Sequence, residues 1–388
     1  MKTFGKWALR LSIALGLAIA VIGLWKREDI ARLGAVLTLF DEDNIVGNFS
    51  AMDQAFLARP VSRGDGPVSP LPQGAEFALP QAVEDWMEAR NVTGLVVLKD
   101  GEIVAETYRL GTAPTDLRIN WSISKSYLSA LMGVVVAEGA IESIEDPVTK
   151  YAPSLAESAY AEATIRDVLQ MSSGVTFDED YLSFNSDINK MGRVLGLGGS
   201  MDAFTTGQDE SFAAPGETWQ YVSIDTHVLG MVIRGATGRS IAELLSEKII
   251  APLGFEAEPY YLTDGPGVAF VLGGLNTTTR DNARFAQMIA QGGEWQGAQV
   301  VPADWVAASI APSANTEEGQ IGYGYQWWIP VGAAPGEVMG RGIYGQYIYI
   351  DQGRNVVVAT HAADRKFRDP GVAEQNVEIF RLIAENLE

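Results

Sequence analysis

The sequence contains no cysteine and only two histidines, His227 and His361, in 388 residues. The first absence excludes disulfides, thiolate metal clusters, a cysteine nucleophile and a lipid-bearing cysteine behind the leader. The second leaves too few imidazoles for an H-E-x-x-H site, so neither a metal nor another cofactor is expected. No serine sits in a G-x-S-x-G turn, which disfavours the nucleophile-elbow hydrolases. A surplus of basic charge is also missing: the net charge is −21, and nucleic acid is not an expected partner. Neither an internal repeat nor a low-complexity tract occurs, and no Pro/Ser-rich linker follows residue 90. One compact catalytic-sized body is therefore expected.

A long apolar run is present at the start. "LSIALGLAIAVIGLW" spans Leu11 to Trp25 among Lys2, Lys6, Arg10, Lys26 and Arg27, with no acid before residue 28. Residues 1–27 are expected to be a membrane anchor or a cleavable signal, an anchor being favoured because the run continues past Ala18-Ile19-Ala20. The cations place the rest of the chain on the exported, periplasmic side. Without those five cations, residues 28–388 carry −26.

Residues 28–84 hold "RPVSRGDGPVSPLPQG", whose prolines and glycines forbid long regular structure, and an extended linker or wrap is expected. In "TGLVVLKDGEIVAETYRLG" two β-rich runs flank Asp100-Gly101, a strong hairpin signal. Leu128, Leu131, Met132, Val135 and Val136 then recur at helical spacing. "TIRDVLQM" and "TTTRDNARFAQMIAQGG" predict helices capped by threonine, with acidic first turns and, in the second, a glycine stop. Near the end, "GQYIYIDQGRNVVVATHA" predicts a second hairpin, and "VAEQNVEIFRLIAENL" a closing amphipathic helix. The order implies an α+β domain over 85–388, an antiparallel sheet flanked by helices with a mainly helical insertion at about 140–310. The sequence sets no oligomeric state.

A serine hydroxyl needs a base, and His227 lies in an apolar helical context that predicts a packed role, while His361 ends a strand. Ser122 and Lys125 in "INWSISKSYLSALMG" form the sequence's single S-x-x-K match. Three residues apart on a helix, the two side chains share a face. A lysine near a helix N-terminus, partly desolvated, has its ammonium disfavoured and can take the hydroxyl proton. The Ser122 N–H at that helix end can receive an oxyanion. A capping serine with a surface lysine would give the same pattern. The acidic clusters at 41–43 and 178–180 read as solvated. "GRGIYG", residues 340–345, fits G-x-G-x-x-G but precedes a strand and opens no helix, so the dinucleotide reading fails.

Six stretches in order resemble the serine β-lactamase-related hydrolases, the superfamily of class C β-lactamases, DD-peptidases and family VIII-type esterases, nearest to its 6-aminohexanoate-dimer hydrolase branch. They are "WSISKSYLSALMGVVVAEGAI", "ATIRDVLQMSSGVTFDEDY", "APGETWQYVSIDTHVLG", "GGLNTTTRDNARFAQMIAQGGEW", "GYGYQWW" and "GRGIYGQYIYID". The resemblance spans residues 90–385 and implies a β-lactamase/transpeptidase-like fold. By it, Ser122 is the acylated nucleophile, Lys125 its base, and Tyr221 of "YVS" the proton shuttle, its anion favoured beside a lysine ammonium. Gly340-Arg341-Gly342 stands where the family has K-T-G, and the Ile343 N–H would be the second oxyanion donor beside that of Ser122.

Two departures bear on substrate. Gly340 replaces the family's Lys or His, and Ser223 replaces the asparagine of Y-x-N, which removes groups that bind penicillin-like substrates. Arg341 could offer a carboxylate a bidentate partner, and Tyr181, Trp327 and Trp328 are expected as pocket walls. The expected function is hydrolysis of carboxylic esters or short linear amides through an acyl-enzyme on Ser122. Two rivals stand: a β-lactamase or DD-peptidase, and a catalytically inactive, anchored protein that binds cell-wall fragments or peptides.

Overall fold

The computed structural model describes residues 27–387 continuously, with scattered positions between Trp7 and Gly23. The leader expected at 1–27 thus lies for the most part outside the described residues, among which no helix is long and apolar enough to cross a membrane.

Residues 28–84 are less extended than their prolines suggest. Helices occupy Arg27–Leu37, Ile45–Asn48 and Met52–Ala55, and strand β1 spans Leu57–Pro60. The prolines begin only at Pro60, so they leave the earlier apolar residues free to coil. Leu39, Ile45, Phe49, Met52 and Phe56 are buried in the main core. Helix α1 (Gln81–Ala89) follows.

β2 (Val92–Lys99) and β3 (Glu102–Tyr108) form the first hairpin. Its turn residues Asp100 and Gly101 both have positive φ, as a tight two-residue turn requires. β4 (Arg118–Ile119) leads into helix α2 (Ile123–Ala137). A largely helical stretch follows, including α3 (Ser223–Thr237) and α4 (Thr279–Ala290). It also carries β5 (Tyr260–Thr263), β6 (Leu275–Thr277) and a small ribbon, β7 (Glu294–Trp295) with β8 (Ala298–Gln299). The predicted caps are present: Thr164 accepts from the Asp167 N–H and Thr278 from the Asp281 N–H. After α5 (Ala303–Ser309) come β9 (Gly322–Tyr323), β10 (Trp328–Ile329), β11 (Glu337–Gly342), β12 (Gln346–Asp351) and β13 (Val356–Ala362). Helix α6 (Val372–Glu385) ends the fold.

The main sheet has seven strands in the order β3-β2-β13-β12-β11-β10-β9, antiparallel throughout. The N-terminal hairpin therefore pairs with the C-terminal one, and the chain between them is an insertion closed by a smaller sheet, β1-β5-β6-β4. Leu95 and Val97 pack on one face of the main sheet with Trp86 of α1 and Phe380 of α6. Val96 and Leu98 pack on the other face, in the core that holds α2 and α4. With both faces covered, β2 and β13 read as continuous apolar runs rather than alternating ones.

α2 is buried nearly all round because helices enclose it on the side away from the sheet. Trp305 of α5 lies on Gly133, and its indole N–H donates to the Ser129 carbonyl at 2.9 Å. A Cβ at 133 would overlap the indole ring. Gly133→Ala is expected to lower stability by roughly 1–3 kcal/mol through overpacking, read as a lower urea midpoint with an unchanged m-value.

Candidate active site

The candidate site forms where the N-terminus of α2 meets the end of β11. Ser122 is the N-cap residue of α2, and Lys125 lies one turn further on. Lys125 is only 1% exposed. Its ammonium donates to the Leu272 carbonyl at 2.8 Å, and its Nζ lies 5.6 Å from the centre of the Tyr221 ring. Burial lowers its pKa to about 7, against the pull of Glu179 and Asp225 in the opposite direction. The Ser122 hydroxyl lies near enough to the Tyr221 phenol to lower its pKa. Ser122, Lys125 and Tyr221, spread over a hundred residues of sequence, thus meet.

Tyr221 differs from expectation. Burial, and then the negative charge of Glu179, push its phenol well above the ordinary tyrosine range, and the Ser122 hydroxyl and the Arg341 charge only partly offset this. It is a neutral phenol at physiological pH rather than a favoured phenolate, because its enclosure outweighs the nearby cations. Its ring stacks on Trp328 with centroids 4.9 Å apart.

Gly342 brings β11 against the helix end. A Cβ there would stand 2.5 Å from the Asn120 carbonyl oxygen and 3.2 Å from the Ser122 nitrogen. Only glycine permits that approach, which brings the residue before Ile343 beside the Ser122 N–H. Arg341 is half-buried, with its guanidinium 5.5 Å from the Trp328 ring centre. Gly340 faces inward: a Cβ would meet Ile348 Cγ1 at 2.7 Å and Ser126 Oγ at 3.3 Å.

The acidic stretch 178–180 is not wholly solvated. Glu179 turns inward and accepts from the Ser223 backbone N–H at 2.5 Å and from the Tyr181 hydroxyl at 3.1 Å. Burial raises its pKa, with the Lys125 charge opposing. Asp225, in the first turn of α3, is fully buried and accepts from Tyr160 at 2.7 Å and Ser173 at 2.9 Å, and burial pushes its carboxyl up to about 7. Spacing offers no signal for either acid, since neither lies near Lys125 in sequence. Tyr181 and Ser223 join the site through Glu179. Trp327 does not: at 1% exposure it stacks on Phe285, 6.3 Å between centroids, and is core. The strand alternation at "QWW" sends Trp327 inward and Trp328 to the site.

Two polar networks hold the pieces in place. Asn120 Oδ1 accepts from Asn282 at 2.7 Å and from Thr277 at 3.0 Å, and His361 Nε2 lies 3.0 Å away. His361 is fully buried, which keeps the imidazole neutral, and its Nδ1 meets Thr279 at 2.9 Å. It supports the residue two before Ser122 rather than lining the site. Gln326, in left-handed backbone, accepts from Ser126 of α2 through its carbonyl (2.9 Å) and from Thr226 of α3 through its side chain (2.7 Å). It joins the helix of Ser122 and Lys125 to the helix that follows Tyr221. His227 is buried against Asp202 at 2.7 Å, the packed role expected of it.

Restoring a lysine at position 340 collides with Ile348. Gly340→Lys is expected to lower stability by roughly 1–3 kcal/mol and to confer no cephalosporin hydrolysis; a stable variant that opens a chromogenic cephalosporin would refute the steric argument.

Residues 79–379 match the Beta-lactamase family. The 6-aminohexanoate-dimer hydrolase of Paenarthrobacter ureafaciens is 32% identical over 346 residues, covering 86% of this chain and 84% of that protein. Among solved structures, a Bacillus anthracis protein provisionally assigned as a 6-aminohexanoate-dimer hydrolase superposes with a TM-score of 0.81 at 23% identity, over 90% of this chain and 96% of the other. A family VIII carboxylesterase gives a TM-score of 0.61 at 16% identity, over 81% and 99%.

Proposed function

The chain belongs to the Beta-lactamase family of serine hydrolases, and on that premise we propose that it cleaves carboxylic esters or short linear amides through an acyl-enzyme on Ser122. The observation that carries this reading is the state of Lys125. A lysine 1% exposed, with its pKa lowered to about 7 and one turn from a serine, is about half unprotonated at neutral pH and so is available as a base.

In the proposed cycle the neutral Lys125 amine takes the Ser122 proton as Oγ attacks the substrate carbonyl. The N–H groups of Ser122 and Ile343 receive the oxyanion. As the tetrahedral species collapses, Tyr221 gives its phenolic proton to the leaving group and takes up the one held by the Lys125 ammonium, which restores both the neutral phenol and the neutral amine. Water then enters by the same route in reverse and releases the acid. The aromatic wall of Trp328 and Tyr221 and the inward-facing Gly340 support linear substrates over β-lactams. The relative's named substrate makes a 6-aminohexanoate dimer one reasonable test compound. We further propose that the leader exports or anchors the chain, a reading supported by the Leu11–Trp25 run and its flanking cations. Protease accessibility of the intact chain in spheroplasts tests that placement.

The first test offers the protein a p-nitrophenyl ester, the 6-aminohexanoate dimer and a chromogenic cephalosporin, with intact-mass detection of the acylated chain. An adduct on Ser122 that disappears in Ser122→Ala is expected; turnover that survives this substitution would sink the assignment. Because the active form of Lys125 is the unprotonated one and its pKa is lowered to about 7, kcat/KM should rise with pH through about 7. No alkaline fall from Tyr221 is expected near its ordinary pKa, since its phenol is pushed higher. Tyr221→Phe should separate the substrates, costing amide hydrolysis about 100-fold or more. The p-nitrophenyl ester should suffer less, because nitrophenolate leaves without a proton. Equal losses on both would argue against the relay.

A further inference from the structure

Trp121, immediately before Ser122, and Tyr344, immediately after Ile343, both adopt left-handed backbone, with φ of 45° and 60°. For bulky residues such a conformation is strained and persists only where neighbours enforce it. The enforcing rings come from a part of the chain before the family-matched residues 79–379. Phe40 stacks on Tyr344, with centroids 4.9 Å apart and planes 12° apart, and lies 6.1 Å from Trp121. Phe49 meets Trp121 at 5.7 Å and Tyr344 at 5.4 Å, edge to face in both cases.

The segment that carries these rings is tied to the strand leading into the site. The Ile119 N–H donates to the Phe49 carbonyl at 3.1 Å. The buried Arg118 guanidinium donates to the Val46 carbonyl at 3.1 Å and to Ser50 Oγ at 2.7 Å. Motion of residues 46–50 would therefore be transmitted directly to residues 118–122.

We propose that Phe40 and Phe49 are positioning residues of the acyl-transfer site. By clamping Trp121 and Tyr344 they set the separation of the Ser122 and Ile343 N–H groups, and so the fit of the oxyanion between them. The proposal rests on the reading of Ser122 as nucleophile. It assigns residues 38–50 to the catalytic unit rather than to a wrap around it.

Phe40 is the residue to test, because it is 39% exposed and its removal opens little core, whereas Phe49 is fully buried. The full chain is assayed with a p-nitrophenyl ester and with phenylboronic acid, whose tetrahedral adduct on Ser122 would place an oxygen between the two donors. Phe40→Ala is expected to lower kcat and boronate affinity together by about tenfold or more, with KM within about twofold. Phe40→Tyr, which keeps the stacked ring, should restore both. If Phe40→Ala does not fold, Phe49→Leu, which keeps apolar volume but loses the ring edge, is expected to show the same paired loss. Wild-type kcat and boronate affinity in Phe40→Ala would overturn the proposal, as would a rise in KM alone, which would mark the ring as a substrate wall. An adduct on wild-type Ser122 combined with an unaffected Phe40→Ala defeats the positioning role alone. No adduct in the wild type defeats the nucleophile reading and the proposal with it.

Discussion

The desolvation of Lys125 is the constraint on which the site depends. An ammonium removed from water is disfavoured by several kcal/mol unless a charge partner compensates it. Here its hydrogen bond goes to a backbone carbonyl, and the two acids that feel its charge are bonded by neutral donors: Glu179 by Ser223 and Tyr181, Asp225 by Tyr160 and Ser173 through Oδ1 alone. Burial raises both acids while lowering the lysine. The cluster thus keeps the lysine pKa low without fixing the ammonium as half of an ion pair, which would have raised it instead.

That burial demands a helix enclosed on every side, and most of the fold serves to provide one. The seven-stranded sheet and α4 cover α2 from one direction, and α3 and α5 from others, with Gly133 letting Trp305 close on it. Close approach is then repeated at the N-terminal end of α2, where Gly342 admits the end of β11 to the Ser122 backbone. Asn120 and Gln326 hold these contacts with fully buried hydrogen bonds, which fix orientation more sharply than apolar packing does. At neutral pH the site therefore holds an amine, a phenol and a hydroxyl in one place, with backbone donors beside them.

Much of this was legible in the sequence. Both hairpins, the two threonine-capped helices, the buried helix after Ser122 and the closing helix follow from turn residues, caps and periodicity, which act within a few residues of one another. The ordered stretches around Ser122, Tyr221 and Gly342 carried the family resemblance. Three readings needed correction, for different reasons. Glu179 looked solvated among acids, but a distant backbone N–H, that of Ser223, draws it inward. Trp327 looked like a pocket wall, but strand alternation turns it into the core. The extended reading of 28–84 holds for the irregular residues 61–80 but not for the helices ahead of the first proline. Phe40 and Phe49 gave no signal, since isolated aromatics in an apolar segment read as ordinary core.

What the sequence determined by itself is the chemistry available: no thiol, no histidine pair, one serine and lysine at helical spacing, and glycine where relatives of the family carry a cation. What only the tertiary structure decided is how those groups behave. The protonation of Lys125 and Tyr221, the inward turn of Glu179 and the clamp on Trp121 and Tyr344 depend on the removal of water and on rings and charges brought from far along the chain. Local spacing sets which groups can meet on a helix, but the dielectric around them and the backbone strain they bear exist only once the chain has closed over them.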